Sequence, residues 1–192
     1  MRQNPERRAA LVDAAVEVLA REGARGLTFR AVDTEAAVPN GTASNYFTSR
    51  DDLLNQVGRH IHVRLTPDPA EVSATLESPP SPEVVVEFMH ALLGRLLKDR
   101  SGYLALMELR LEATRRPELR QELTGTIASN LDENIRFHLD SGLPGDSMTV
   151  VLLYLAMSGL VVEQLTLPEV LNQFPVDDVI AALVGRTLPP AQ

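Results

Sequence analysis

The sequence contains no cysteine, which excludes disulfides, thiolate metal sites and cysteine nucleophiles. It also lacks the H-E-x-x-H, G-x-S-x-G and P-loop patterns that would announce a zinc hydrolase, a serine hydrolase or a nucleotide site. Its histidines do not cluster. His60 and His62 lie two apart and point to different helix faces, while His90 and His138 stand alone. Glu108 and Glu112 share a helix face, as carboxylate metal sites require, but no Glu-x-x-His partner accompanies them. Arg115 and Arg116 follow closely, so ion pairing is the expected use of those acids. No catalytic residue, metal or cofactor is expected. Long hydrophobic runs are missing too: the longest covers residues 148–162, and a membrane crossing needs about 20 residues. The opening MRQNPERRAA is polar and basic, unlike a secretion signal. A cytoplasmic protein without membrane contact is the expectation.

What is present reads as helix. The chain has 192 residues, 44% hydrophobic and 23% charged, ordinary for a globular protein of one or two domains. No stretch demands a strand and no internal repeat is visible. The net charge of −8 is unevenly spread: residues 1–65 carry +1 and residues 66–192 carry −9. The N-terminal part is therefore not repelled by polyanions, and local arginines decide whether it attracts them.

Residues 27–54, LTFRAVDTEAAVPNGTASNYFTSRDDLL, organise the chain. Thr28 can cap a short helix with Phe29, Val32 and Ala36 on one stripe. The run Ala37-Val38-Pro39-Asn40-Gly41 interrupts it. A second short helix is expected over residues 42–47. Ser49 then caps a third, with Asp51 and Asp52 in its first turn, where negative charge suits the helix dipole. Two short helices joined by a tight turn have the form of a helix-turn-helix, whose second helix lies in the DNA major groove. Thr42, Ser44, Asn45 and Tyr46 supply groups able to bond bases or phosphates. Arg2, Arg7, Arg8, Arg30 and Arg50 are the candidate phosphate ligands.

The order and spacing of Ala14-Ala15, Gly23, Thr28, Ala36-Ala37-Val38, Gly41-Thr42, Tyr46-Phe47, Ser49-Arg50-Asp51 and Leu53-Leu54 resemble the N-terminal domain of TetR-family transcriptional regulators. The resemblance covers residues 7–65 and implies DNA contacts within Thr28, Arg30, Asn40, Gly41, Thr42, Ser44, Asn45, Tyr46 and Arg50. Three positions depart from the family pattern. Ala37 replaces the turn glycine, at a cost of roughly 1 kcal/mol if that position needs positive φ. Asp33 replaces a small apolar residue between the two helices, and Ser44 replaces a tyrosine that contacts the DNA backbone.

The first helix should run over residues 5–21 and end at Glu22-Gly23. The helix over residues 50–65, with Leu53, Leu54, Val57, Ile61 and Leu65 apolar, should link the DNA-binding part to the rest. Residues 66–82 hold five prolines and read as a loop. Helices are then expected over residues 82–99, from Ser101, over 117–140, over 146–165 and over 176–186. Leu104, Leu106, Met107 and Leu111 should line the buried side of the second of these. Leu123, Ile127, Leu131, Ile135 and Leu139 should do so in the third.

The fourth, residues 146–165, is apolar almost all round, so it is either a core helix or one covered by a partner. Ala156 and Gly159 permit close helix approach. With the last helix it is read as the face of a two-fold homodimer, which the TetR resemblance also implies. Pocket walls for a small molecule are expected from Phe88, Met89, Tyr103, Met107, Phe137, Tyr154 and Met157, with Arg110, Asn134 and Gln164 as polar anchors.

The resulting expectation is an all-α protein with an N-terminal three-helix DNA-binding domain. Its divisions are 1–48 for that domain, 49–65 for the connecting helix, 66–82 for a proline-rich loop and 83–192 for ligand binding and dimerisation. Its partners are double-stranded DNA, a second copy and a small-molecule effector of unknown identity that releases a repressor from a palindromic operator. Two other readings fit the same helices. One is a helical-bundle enzyme or metal protein; the other is an interaction module without DNA binding, to which Asp33 and Ala37 lend weight.

Overall fold

The structure, a computed structural model, describes residues 4–188. Among these every regular element is helical, as the residue patterning demands. The helices are α1 (Pro5–Gly26), α2 (Phe29–Glu35), α3 (Arg50–Leu65), α4 (Pro69–Thr75), α5 (Pro82–Lys98), α6 (Arg100–Ala113), α7 (Pro117–Asp140), α8 (Ser147–Thr166) and α9 (Val176–Thr187). Single 3-10 turns lie at Ala43–Asn45 and Pro168–Leu171. Most boundaries follow from caps within four residues of the helix start. Asn4, Thr28, Ser49 and Asp146 each accept backbone N–H bonds there. The last forms a reciprocal capping box with Thr149. α1 breaks where expected: Gly23 has φ 69°, and one further turn follows it.

Contacts sort the chain into two compact units, residues 1–66 with 99–127 and residues 67–98 with 128–192. In the first, α1 packs on α2, α3 and α6. Leu11, Ala15, Leu19, Leu53, Leu54, Val57 and Ile61 meet Ala105, Leu109 and Leu123 in one apolar core. The far end of α3 is thus buried against α1 and α6. In the second unit α5 packs on α4, α8 and α9. Val84, Val85, Leu143, Leu153 and Val184 form its core, with Phe88, Met89 and Phe137 packed against it.

Three sequence expectations are corrected. Residues 66–82 are not a plain loop, because Pro69 occupies a first-turn position of α4 and Asp68 Oδ1 accepts from Ala70 N–H (2.8 Å). The residues that end one helix start the next. The buried side of α6 is Gly102, Ala105, Leu109, Glu112 and Ala113, whereas Leu111 is exposed. Small residues let α1 and α6 approach closely, so alanine and glycine mark the interior where leucines were expected. In α7 the four-residue stripe is buried only at Leu123, joined by Leu119, and Leu139 is exposed.

Candidate nucleic-acid interface

The interface is built from α2 outward. Thr28 Oγ1 accepts from Ala31 N–H (3.1 Å), fixing the start of α2. Its end is a Schellman motif: Val38 N–H donates to Asp33 O (3.0 Å) and Ala37 N–H to Thr34 O (3.1 Å). That motif puts Ala37 at φ 52°, the one positive φ of a non-glycine among the described residues. The strain anticipated for the departure from glycine is therefore present. Gly41 follows at φ 90°.

The expected second helix over residues 42–47 is shorter than read: a single 3-10 turn, Ala43–Asn45. With so few turns it cannot hold itself by helical hydrogen bonds. Tertiary anchors do so. Ala43 and Phe47 are buried, and the Phe47 ring lies 6.4 Å from that of Phe29. Asp33 is 1% exposed, and its carboxylate accepts from Gly41 N–H (2.7 Å) and Ala43 N–H (2.6 Å). Asp33 therefore fills the space between the two short helices as an anchor rather than as a polar misfit.

The candidate contact residues divide into two groups. Arg30, Asn40, Gly41, Ser44 and Asn45 are exposed, and Thr42 and Tyr46 are half-buried. Ser44 Oγ (2.8 Å) and Asn45 Nδ2 (3.0 Å) both donate to Gly41 O, and Thr42 Oγ1 donates to Pro39 O (2.6 Å). These bonds hold the polar tips in place and use each hydroxyl as a donor, which leaves its oxygen chemically able to accept. Among the described residues Arg7 and Arg30 are exposed and have no carboxylate partner; Arg2 lies outside the described residues.

Arg8 and Arg50 are employed within the fold. Arg8 sits over the rings of Tyr46 (5.8 Å) and Phe47 (5.7 Å) and donates to Gln56 Oε1 (2.7 Å). Arg50 donates to the carbonyls of Ala24 and Leu27, satisfying the end of α1. Thr28, likewise, spends its hydroxyl on the cap.

The start of α3 is locked from two sides. Asp52 accepts from Thr48 N–H (2.9 Å) and Gln56 Nε2 (2.7 Å), while its own N–H donates to Ser49 Oγ (3.0 Å). Burial works to raise the Asp52 carboxyl, but the bonds from Gln56 and Thr48 outweigh it and hold it below the ordinary value. From α6, Glu112 accepts from Arg115 (2.9 Å) and Arg116 (2.8 Å), and Arg116 also pairs with Asp51. Those hydrogen bonds, Arg116 first, bring the Glu112 carboxyl down to about 2 despite its burial. The acids Glu108 and Glu112 thus serve the scaffold: Glu108 accepts from Ala24 N–H (3.1 Å) beside the break in α1.

Sequence reasoning missed the anchoring roles of Asp33, Arg8 and Gln56. No local signal could have found Asp33: Asn40 and Thr42 are both capping residue types, and only the structure shows that Thr42 makes no side-chain cap bond.

The ligand candidates are placed as follows. Phe88 and Phe137 make an edge-to-face pair at 5.5 Å, and Met89 packs beside them. Met157 is buried and Tyr154 half-buried in α8. Asn134 is exposed and bonds Asn130. Tyr103 and Met107 are half-buried on α6, and Arg110 is exposed. An open cavity of about 380 Å³ in the first unit is lined by Glu22, Arg25, Glu108, Glu112 and Arg115, among others, and by none of these candidates.

Comparison with known proteins fits this geometry. The family model described as "Bacterial regulatory proteins, tetR family" matches residues 11–57. That described as "Tetracyclin repressor-like, C-terminal domain" matches residues 80–190. No curated protein matches the chain in sequence. A solved TetR-family member from Streptomyces coelicolor A3 is 29% identical, over 96% of this chain and 99% of its own, with a TM-score of 0.69. The multidrug binding protein EbrR complexed with imidazole is 28% identical over 98% of both chains, with a TM-score of 0.66. EbrR complexed with ethidium gives 27%, 97% and 100%, and 0.63. The chain belongs to the TetR family of DNA-binding transcriptional regulators.

Proposed function

We propose that this regulator is a homodimeric repressor that a small molecule releases from a palindromic operator. The observation that carries the DNA-binding half of the reading is the tightly braced turn Ala43–Asn45, which buries Ala43 and exposes Ser44 and Asn45. The DNA contacts assigned are Thr42, Ser44 and Asn45 toward bases and Tyr46, Arg7 and Arg30 toward phosphates. Thr28 and Arg50 position the elements that carry them.

Dimerisation is supported by an apolar stripe along α8: Met148 is 58% exposed, Leu152 45% and Leu155 60%, with Gly159 next in the row. Ala181, Ala182 and Gly185 are exposed on α9, which packs beside α8. The opposite face of α8, including Leu153, Met157 and Leu160, is buried. Its 20 residues are enough to cross a bilayer, but this two-sided use fits a bundle helix shared between protomers in the cytoplasm. Effector binding is assigned to residues 83–192, with Phe88, Met89, Phe137, Tyr154 and Met157 as apolar walls. EbrR, bound to imidazole and ethidium in its solved complexes, supports that assignment, and the acid excess of residues 66–192 favours a cationic effector.

The mechanism is a population shift. Two recognition turns must sit about 34–36 Å apart to meet successive major grooves. An effector that prefers a conformer with another spacing depletes the DNA-competent one. The test is selection of bound fragments from genomic DNA, then anisotropy titration of a selected and a random duplex at one salt concentration, with and without ethidium as probe. Selective binding that ethidium reverses is the expected result. Absence of selection would refute the regulator reading.

A further inference from the structure

The turn that presents Ser44 and Asn45 lacks a cap of its own. Thr42, at the capping position, makes no side-chain bond to the turn's N–H groups, because its hydroxyl donates backward to Pro39 O. Pro39 has no side-chain acceptor to offer either. Asp33, eight and ten residues earlier, supplies both missing acceptors: Oδ2 to Gly41 N–H and Oδ1 to Ala43 N–H. Its carboxylate is buried, and among the described residues no arginine, lysine or histidine pairs with it. A buried carboxylate of this kind is tolerable only while its hydrogen bonds are kept. Displacing the turn by about 1 Å would stretch both bonds beyond the usual range. The arrangement is therefore stiff.

The stiffness reaches the contact residues through Gly41. Its N–H is held by Asp33, and its C=O accepts from both Ser44 Oγ and Asn45 Nδ2. No Cβ would meet any atom within 4 Å there, so glycine is required by its φ of 90° alone. We propose that Asp33 is a positioning residue for DNA reading: it caps the recognition turn from outside and, through Gly41, sets the angle at which Ser44 and Asn45 meet the base edges. The inference rests on the DNA-reading role proposed above. It inverts the sequence expectation, in which Asp33 argued for lost DNA binding.

The full-length protein tests it in three variants: Asp33→Ala, Asp33→Asn, and Asp33→Ala combined with Pro39→Ser. Serine at 39 stands two residues before Gly41, where a capping hydroxyl can accept that N–H. The readouts are amide hydrogen exchange at Gly41 and Ala43 without DNA, circular dichroism, and the ratio of affinities for a selected and a random duplex. Asp33→Ala should keep its helical signal, lose protection at both amides and drop the affinity ratio by about tenfold or more. Pro39→Ser should restore part of the protection at Gly41 and part of the ratio. If Asp33→Ala fails to fold, Asp33→Asn retains the volume and one acceptor, so loss of protection at one of the two amides and a smaller fall in the ratio are expected of it.

An unchanged ratio despite lost protection would overturn the proposal. So would an equal change for both duplexes, which marks a stability or charge effect. A wild-type protein that selects no duplex would remove the regulator reading itself. A selective wild type with an unaffected variant removes this inference alone.

Discussion

Replacing Ala37 by glycine should stabilise the protein. Ala37 stands at φ 52°, the left-handed position of a Schellman motif. Its methyl group is exposed, so removing it costs no packing. Alanine in this conformation costs about 1–2 kcal/mol. Glycine gives back about 0.4–1 kcal/mol through the greater entropy of its unfolded chain. The net gain is about 0.5–1 kcal/mol, or about 1–4 °C in melting temperature for a chain of this size. Ala36→Gly is the matched control. Ala36 sits one residue earlier at φ −74° and packs against the core, so glycine there adds a lost methyl contact to its entropic penalty and stability should fall by at least about 0.5–1 kcal/mol. Urea titration of the three proteins should show midpoints moving in opposite directions with unchanged slopes. Two variants that both destabilise, or a neutral Ala37→Gly, would refute the claim of local strain.

Glu112→Gln should cost about 1–3 kcal/mol at neutral pH through weakened bonds to Arg115 and Arg116. Because the folded carboxyl sits at about 2, below its ordinary 4.5, its contribution is complete above pH about 4.5 and drains away as pH falls toward 2. Denaturation of both proteins across that range should converge at the acid end; a constant gap would contradict the pairing. Gly159→Arg should leave the protomer folded, since a Cβ there meets nothing within 4 Å, yet put an unpaired charge into the proposed dimer seam. Sedimentation should show monomer with an unaltered helical signal, and an intact dimer would place the interface elsewhere. Ile61→Ala should lower stability by about 2–5 kcal/mol, because Ile61 is buried in the core shared by α1, α3 and α6. A loss below 1 kcal/mol in chemical denaturation would mean that the site is not closely packed.

The helical framework was legible because its punctuation is local. Thr28, Ser49 and Asp146 each bond an N–H three residues away, and Gly23 breaks α1 by its own φ. Such signals need no knowledge of the tertiary fold. The side of α6 that is buried was not legible, because a leucine stripe and an Ala105–Leu109–Ala113 stripe are both helical patterns. Which one faces inward depends on how closely α1 approaches. The role of Arg50 was hidden for the same reason. Its partners, Ala24 O and Leu27 O, lie more than twenty residues back, and an arginine before a helix reads equally well as a free phosphate ligand.

The departures from the family pattern illustrate the limit best. Taken singly, Ala37 strains a turn and Asp33 buries a charge, and each argues against a working motif. In the folded chain they belong to one piece of geometry. The backbone carbonyl of Asp33 accepts Val38 N–H and closes the turn that Ala37 strains. The carboxylate of the same residue then accepts Gly41 N–H and Ala43 N–H, bonds that Pro39 has no side-chain acceptor to make. One residue thus holds both sides of the interruption between α2 and the recognition turn. Charge-assisted bonds from the part-buried Gly41 N–H and the buried Ala43 N–H are each worth about 1.5–3 kcal/mol, more than the roughly 1–2 kcal/mol of strain at Ala37. The balance of those magnitudes explains why the turn stays ordered with alanine in the left-handed position.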